Sequence, residues 1–222
     1  MRYYLSIRLL SDATFGRGEG VPGLVDVEID HDEAGCPMID GRTIKGLLLE
    51  EWLNLRSVLR HPELWEVPAA CLFGRRGATG DGRSLLHIGA ATLPPELRAA
   101  LHESVRMEKL QPDDVLRSLT TIRRQTAIDA TTGAPETGSL RAMRVLLRET
   151  QLVAELDFEK RPDDRTLALL AACALAVRRG GAGRNRGRGR MSLLLHPQLP
   201  SDVRDETFTR QCFEQFAREV VS

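Results

Sequence analysis

Polar and apolar residues alternate from the start of the chain: Tyr3, Leu5, Ile7 and Leu9 fall on one face of an extended segment, the period of a strand buried on one side. The alternation stops at Ser11. Residues 11–41 are rich first in glycine and then in acid, and are too long for a simple turn in a compact domain, which makes them a candidate functional loop. From Thr43 to Leu59 the period becomes helical, with Ile44, Leu47, Leu48, Trp52, Leu55 and Leu59 on one side and Asp40 or Thr43 available as a cap. Leu85–Ala91 reads as a strand. Pro94–Met107 reads as a helix opened by two prolines, with Leu97, Leu101 and Val105 on its apolar side.

Between Val115 and Glu159 the pattern turns β-like, interrupted by Asp129–Gly138, whose composition is that of a turn. This predicts an extended hairpin over about 115–148. Met143–Leu147 and Gln151–Phe158 are two of its strands or return strands to a main sheet. Asp163 or Asp164 caps an apolar helix ending near Val177, Met191–Leu195 is a short strand, and 202–221 closes the chain as an amphipathic helix carrying Phe208, Phe213 and Phe216. With 222 residues and 42% hydrophobic content, the chain suffices for one α+β domain with a real core.

Charge changes the picture through its placement, because the formal net charge is zero. Residues 178–190 hold six arginines, five glycines and no acid, between an apolar helix and a strand. Glycine lets backbone N–H groups approach an anion, and guanidinium forks grip phosphate in bidentate fashion. Gly181, Gly183, Arg184, Asn185, Arg186, Arg188 and Arg190 are therefore candidate phosphate-binding residues. A second glycine/arginine loop contains Arg75 and Arg76, and the helix start Gly41-Arg42-Thr43-Ile44-Lys45-Gly46 adds Arg42 and Lys45 at a positive helix end. Arg117, Arg123, Arg124, Arg141, Arg144 and Arg148 decorate the predicted hairpin, which could lie along a polyanion. Asp26, Glu28, Asp30, Asp32 and Glu33 crowd the early loop beside His31. Cys36, Cys71, Cys173 and Cys212 form no metal-spaced pair, and no run of about 18 apolar residues appears, so a reduced, cytoplasmic protein away from membranes is expected.

The ordered set of an initial strand, a helix opened by Gly41–Gly46, the Leu72-Phe73-Gly74 loop, a threonine-rich hairpin and the late Gly180–Arg190 loop resembles the RAMP (repeat-associated mysterious protein) superfamily, most of all the repeated backbone subunit of type III CRISPR complexes. The likeness runs to about Leu195. Gly41, Lys45 and Gly46 match the family's Pro-Gly-Ser-Ser-Leu-Lys-Gly motif, while Asp40 replaces proline and Arg42 a serine. The resemblance implies a ferredoxin-like, modified RNA-recognition fold with an inserted thumb hairpin. It also implies binding of CRISPR RNA and target RNA among other effector subunits and further copies of the same chain. Apolar wedges on the thumb would be Ile128 and Met143. Catalytic members of the family cut target RNA with an aspartate in the first loop and a divalent metal, Mg²⁺ or Mn²⁺. Register places Asp26 at that position, with Asp30 and Asp32 as alternatives. Two further readings remain at this point: a non-catalytic subunit that caps or bridges the complex, and a stand-alone enzyme that processes the CRISPR transcript.

Overall fold

The computed structural model describes residues 1–75, 82–126, 131, 133 and 140–221. Strand β1 (Arg2–Leu9) is central. It pairs antiparallel with β5 (Gln151–Phe158) on one side and β6 (Met191–His196) on the other, and β2 (Leu86–Ile88) adds to the free edge of β5. The sheet order is β2-β5-β1-β6. Helix α1 (Gly41–Val58) lies in the chain between β1 and β2, and α5 (Asp164–Ala176) between β5 and β6. Two β-α-β crossovers on one antiparallel sheet with this order are the ferredoxin-like arrangement, so the expected fold class is observed.

Local chemistry accounts for the helix ends. The Asp40 carboxylate accepts the Arg42 N–H at 2.6 Å and caps α1; Asp163 accepts the Thr166 N–H at 2.8 Å and caps α5. Helix α5 is buried from Thr166 to Cys173 without a break, because α1, α2 (Glu66–Phe73), α6 (Thr207–Val221) and β6 all pack on it. Residues 62–73, to which the periodicity assigned no element, form a short 3₁₀ turn and α2. They bring Trp65 against Phe216 with ring centroids 4.6 Å apart.

The structure corrects the hairpin boundary. Val115–Leu119 belong to helix α4 (Pro112–Leu119), which has proline in its first turn and a Gln111/Asp114 capping box. Val115, Leu116 and Leu119 recur at i, i+1 and i+4, a helical spacing, but over so few residues it is masked by the β-like pattern that follows. The hairpin proper is β3 (Thr120–Gln125) with β4 (Arg141–Leu146), paired from Thr120↔Leu146 to Gln125↔Arg141. β5 belongs to the main sheet. Ile128 and most of the turn at 129–138 lie outside the described residues. The last helix starts at Thr207, five residues later than the sequence predicts, where Asp205 accepts the Thr207 N–H at 2.9 Å. Helix α3 (Pro95–Arg106) matches its prediction closely. All four cysteines are unpaired, and among the described residues no helix is long and apolar enough to cross a membrane.

The C-terminal end of β1 is where the connections converge. Leu9 and Thr150 bond across to the start of β5, and the Leu10 N–H donates to the Arg190 carbonyl at 2.7 Å, at the start of β6. The hairpin base and the glycine/arginine loop therefore both hang from this end of the sheet.

Candidate nucleic-acid interface

The 178–190 loop is an ordered arch. Arg179 bridges to Arg190, Gly180 N–H donates to the Gly189 carbonyl at 2.9 Å, and residues 184–186 make a 3₁₀ turn between Gly183 and Gly187. The arch is tied to the segment after β1: Gly189 N–H donates to the Asp12 carbonyl at 2.9 Å and Ala182 N–H to the Thr14 carbonyl at 2.7 Å. Only glycine fits at 181, where φ is +81° and a Cβ would stand 2.4 Å from the Thr14 carbonyl oxygen.

The arginines of the arch divide into two groups. Arg184 is held in a bidentate pair with Glu50 at 2.7 and 2.8 Å, which draws the Glu50 carboxyl below its usual range. Arg188 donates to the Met143 sulfur at 3.1 Å and to the Gln125 amide oxygen, turned towards it, at 2.8 and 3.1 Å. Arg178, Arg179, Arg186 and Arg190 are exposed and have no ion-pair partner among the described residues; Asn185 is exposed beside them. Arg184 thus braces α1, and the cations open to a phosphate are its neighbours.

Arg188 connects the arch to the hairpin base, and the first loop completes the junction. Residues 26–27 run beside β4: Asp26 N–H donates to the Ala142 carbonyl at 2.8 Å, Arg144 N–H donates to the Val27 carbonyl at 3.0 Å, and Val27 bridges Met143. The Asp26 side chain is exposed, and its Oδ2 accepts the Ala142 N–H at 2.6 Å, leaving Oδ1 outside that bond. The candidate acid, the thumb candidate Met143 and Arg188 therefore meet in one place. Met143 sits half-buried at the hairpin base, paired with Arg123. A groove of about 680 Å³ runs beside β3, lined by Leu24, Arg117, Ile122, Arg123 and Arg124 among others. Arg124 is exposed there, while Arg123 is paired with Asp12 at 2.9 Å.

The acidic cluster does not form one solvated face. Glu28 is buried and pairs with Arg144 at 2.7 Å, and Arg144 also donates to Thr120, so this arginine does not decorate the hairpin surface as predicted. No sequence signal distinguishes this pair from its exposed neighbours. Asp32 Oδ1 accepts the N–H groups of Ala34 and Cys36, and Oδ2 faces Arg98 at 2.9 Å and His102 at 2.8 Å. Burial pushes the Asp32 carboxyl up, and the hydrogen bonds from His102, Arg98 and the Cys36 amide more than reverse it, leaving it below the ordinary carboxylate range. Asp30 is half-buried in a cavity with Met38, Arg42 and Lys45, and the His31 ring contacts the Asp32 carbonyl.

A model of the RAMP superfamily matches residues 6–192 of the chain. The chain belongs to that superfamily. Among solved structures, RAMP-like folds of similar shape include a chain of the type III-B Cmr-beta complex in its apo state, with TM-score 0.61 and 15% identity, covering 91% of this chain and 98% of that one. Another comes from type III-B Cmr-beta bound to cognate target RNA, with TM-score 0.63, 13% identity and 87% and 96% coverage. A third, from a type IV-B CRISPR complex, has TM-score 0.56, 15% identity and 98% and 99% coverage. At these identities the likeness concerns the fold. No curated protein matches the chain in sequence.

The RAMP motif at the start of α1 has structural work here. A Cβ at Gly41 would lie 1.9 Å from the Ile88 carbonyl oxygen, so helix and strand touch at this point. Lys45 is half-buried and donates to Ser84 Oγ at 2.6 Å and the Leu86 carbonyl at 3.0 Å; burial lowers its pKa. The predicted phosphate contact at Lys45 is thus replaced by a brace from α1 to β2. Arg42 is exposed but folded back on Asp40 at 2.9 Å, and the cap carboxylate already fills the helix end that was to take an anion. Arg75 is exposed and shares a cavity with Arg83, Glu159 and Lys160, at the end of the sheet where β1 begins. The arch lies at the other end, roughly 26 Å away at about 3.3 Å per strand residue. Arg76 lies outside the described residues.

Proposed function

We propose that the chain is an RNA-binding subunit of a CRISPR effector complex of the type III kind, and that it cuts target RNA paired to the guide. The observation that carries this reading is the meeting of an exposed carboxylate, Asp26, with the hairpin base at Ala142–Met143 and the arch at Arg188. The complexes from which the structural neighbours come, type III-B Cmr-beta with and without target RNA and a type IV-B complex, support CRISPR RNA, target RNA and other effector subunits as partners. Further copies of the chain along the guide are part of the same proposal.

In this reading Arg178, Arg179, Arg186 and Arg190 hold guide phosphates by charge-assisted bonds, and the folded arch presents them without a backbone ordering cost at binding. The groove beside β3 takes the strand as it passes the hairpin, with Arg124 as its exposed cation. Asp26 suits Mg²⁺ or Mn²⁺: one hard carboxylate oxygen stands outside the Ala142 bond in an exposed position, and Mg²⁺ keeps most of its waters when bound by one or two carboxylates. Such a cation, when bound, stabilises charge developing on the scissile phosphate. The Ala142 N–H holds Oδ2 and so restricts the rotation of the carboxylate.

Cleavage of a labelled target by the assembled complex, with Mg²⁺ or Mn²⁺ and then with EDTA, tests the proposal. Asp26→Asn retains an oxygen for the Ala142 N–H but removes the charge. It is expected to leave assembly and guide binding intact and to slow cutting by about 10² or more, a barrier rise of about 2.7 kcal/mol. The short Asp26–Ala142 bond also favours a second reading, in which the carboxylate only clamps the hairpin of a non-catalytic subunit. A complete parental complex that never cuts decides for that second reading.

A further inference from the structure

We propose that Asp32, Cys36 and His102 form a zinc site that staples the early loop to α3, separate from Asp26 and of a different chemical kind. The three side chains bring one oxygen, one sulfur and one ring nitrogen within 4.8 Å of one another. In a tetrahedral zinc site the ligand atoms stand roughly 3.3–3.6 Å apart, given Zn–S of about 2.3 Å and Zn–N or Zn–O of about 2.0–2.1 Å. Closing the cluster around an ion therefore takes side-chain movement of about an ångström.

The ligands are already oriented. Asp32 and Cys36 sit on one tight turn, closed by Asp32 N–H to the Cys36 carbonyl at 2.9 Å and Gly35 N–H to the Asp32 carbonyl at 3.0 Å. Asp32 Oδ1 is held by the Ala34 and Cys36 N–H groups at 3.1 and 3.0 Å, which leaves Oδ2 directed at α3. His102 presents Nε2 to that oxygen at 2.8 Å from the middle of a well-formed helix. Arg98, one turn earlier on the same face, donates to Oδ2 at 2.9 Å and is the outer partner that steadies a ligating carboxylate. The Asp32 side chain is 12% exposed and Cys36 1%, so the ion would be largely shielded.

The donor set selects the metal. A thiolate and an imidazole with one carboxylate suit zinc, whereas Mg²⁺ and Mn²⁺ at Asp26 need only hard oxygen. On binding, the ion takes the place of the hydrogen between His102 Nε2 and Asp32 Oδ2, the bound ring being neutral with its single proton on Nδ1, and the Cys36 thiol gives its proton to solvent. Thiolate and carboxylate then balance the two positive charges of the ion. His102 and Arg98 also line a cavity of about 550 Å³ with Tyr4, Thr92 and Glu155, from which a water completes the fourth position.

Cobalt(II) is the probe, because thiolate ligation gives a near-ultraviolet charge-transfer band and a tetrahedral field gives visible bands. Full-length protein stripped with chelator is expected to take up one equivalent of Co²⁺ with both signatures, to give it up to Zn²⁺, and to ignore excess Mg²⁺. Cys36→Ser is expected to lose the charge-transfer band, and His102→Gln to weaken binding at least about tenfold. No thiolate band in the parent overturns the proposal. So does a band that survives Cys36→Ser, which would assign it to Cys71 or Cys212, or unchanged affinity in His102→Gln. If Cys36→Ser fails to fold, the parental titration and the half-exposed His102 position still decide the matter.

Discussion

The two halves of the 11–40 segment use the same residue types in opposite ways. Residues 12–27 are held mainly by backbone, with Asp12 and Thr14 carbonyls receiving the arch and 26–27 running along β4, the exception being the Asp12 carboxylate, which pairs with Arg123 and accepts the Arg148 N–H. The Asp26 carboxylate accepts a single N–H and otherwise faces outwards. Residues 28–40 are held by side chains instead: Glu28 pairs with Arg144 inside the protein, Asp32 gathers two amides, an arginine and a histidine, and Asp40 caps α1. A carboxylate is open to bind something new where the main chain already secures its own position. Acid content alone does not reveal which carboxylates those are.

Glu28 gives the largest effect that would break this contrast. Glu28→Ala leaves the Arg144 guanidinium buried without its partner and is expected to cost about 3–5 kcal/mol in chemical unfolding. Asp26→Asn in the same assay is expected to be within about 0.5 kcal/mol of the parent, its effect appearing in cleavage. Equal losses from both would erase the distinction between the halves.

Asp40 tests the second half at smaller scale. Asp40→Ala removes an N-cap and is expected to cost about 1 kcal/mol. Hydrogen bonds from the Arg42 side chain and amide hold the Asp40 carboxyl below its ordinary value. Its stabilisation is therefore fully present above the unfolded value of about 3.9 and is lost as pH falls through the lower folded value. Unfolding free energies of parent and Asp40→Ala should converge in acid. A gap that stays constant down to the acid transition would show that the cap acts through packing and not through its charge.

The smallest expected differences concern the arch. Arg186→Ala and Arg190→Ala should each flatten the slope of log affinity against log salt for guide RNA by about 0.7. Arg184→Ala should leave that slope alone and cost at most about 1 kcal/mol of stability through the lost Glu50 pair. A flattened slope for Arg184→Ala would mean that Arg184 leaves Glu50 when RNA arrives.

Much of this was readable from period and punctuation. The strand at 2–9, the helices at 41–58, 95–106 and 164–176 and the late arch stood out because apolar spacing, caps and glycine placement agree over long stretches. Val115, Leu116 and Leu119 do carry a helical spacing, but five residues are too few to stand out against the β-like pattern that follows them. Within the site, composition located the arch but not the role of each arginine. Arg184 and Arg186 are alike in sequence, and only the approach of Glu50, 134 residues away, separates them. Lys45 looked like an anion ligand for the same reason: its partners Ser84 and Leu86 come from another element. The Asp32–His102 contact left one faint sign, the four-residue spacing of Arg98 and His102 on a single helical face.

The central place of β1 has a consequence for how the protein is made. Its partners are residues 151–158 and 191–196, so β1 is made well before either strand it pairs with. At about 5–20 residues per second, it waits roughly seven to thirty seconds with both edges bare. During that interval an apolar strand is a template for another nascent chain. Arg2 and Arg8, which in the finished sheet face Asp157 and Glu149, put positive charge near each end of that strand. Until those acids arrive, the two arginines are unpaired like charges on every copy, and like charge on an open edge disfavours edge-to-edge pairing.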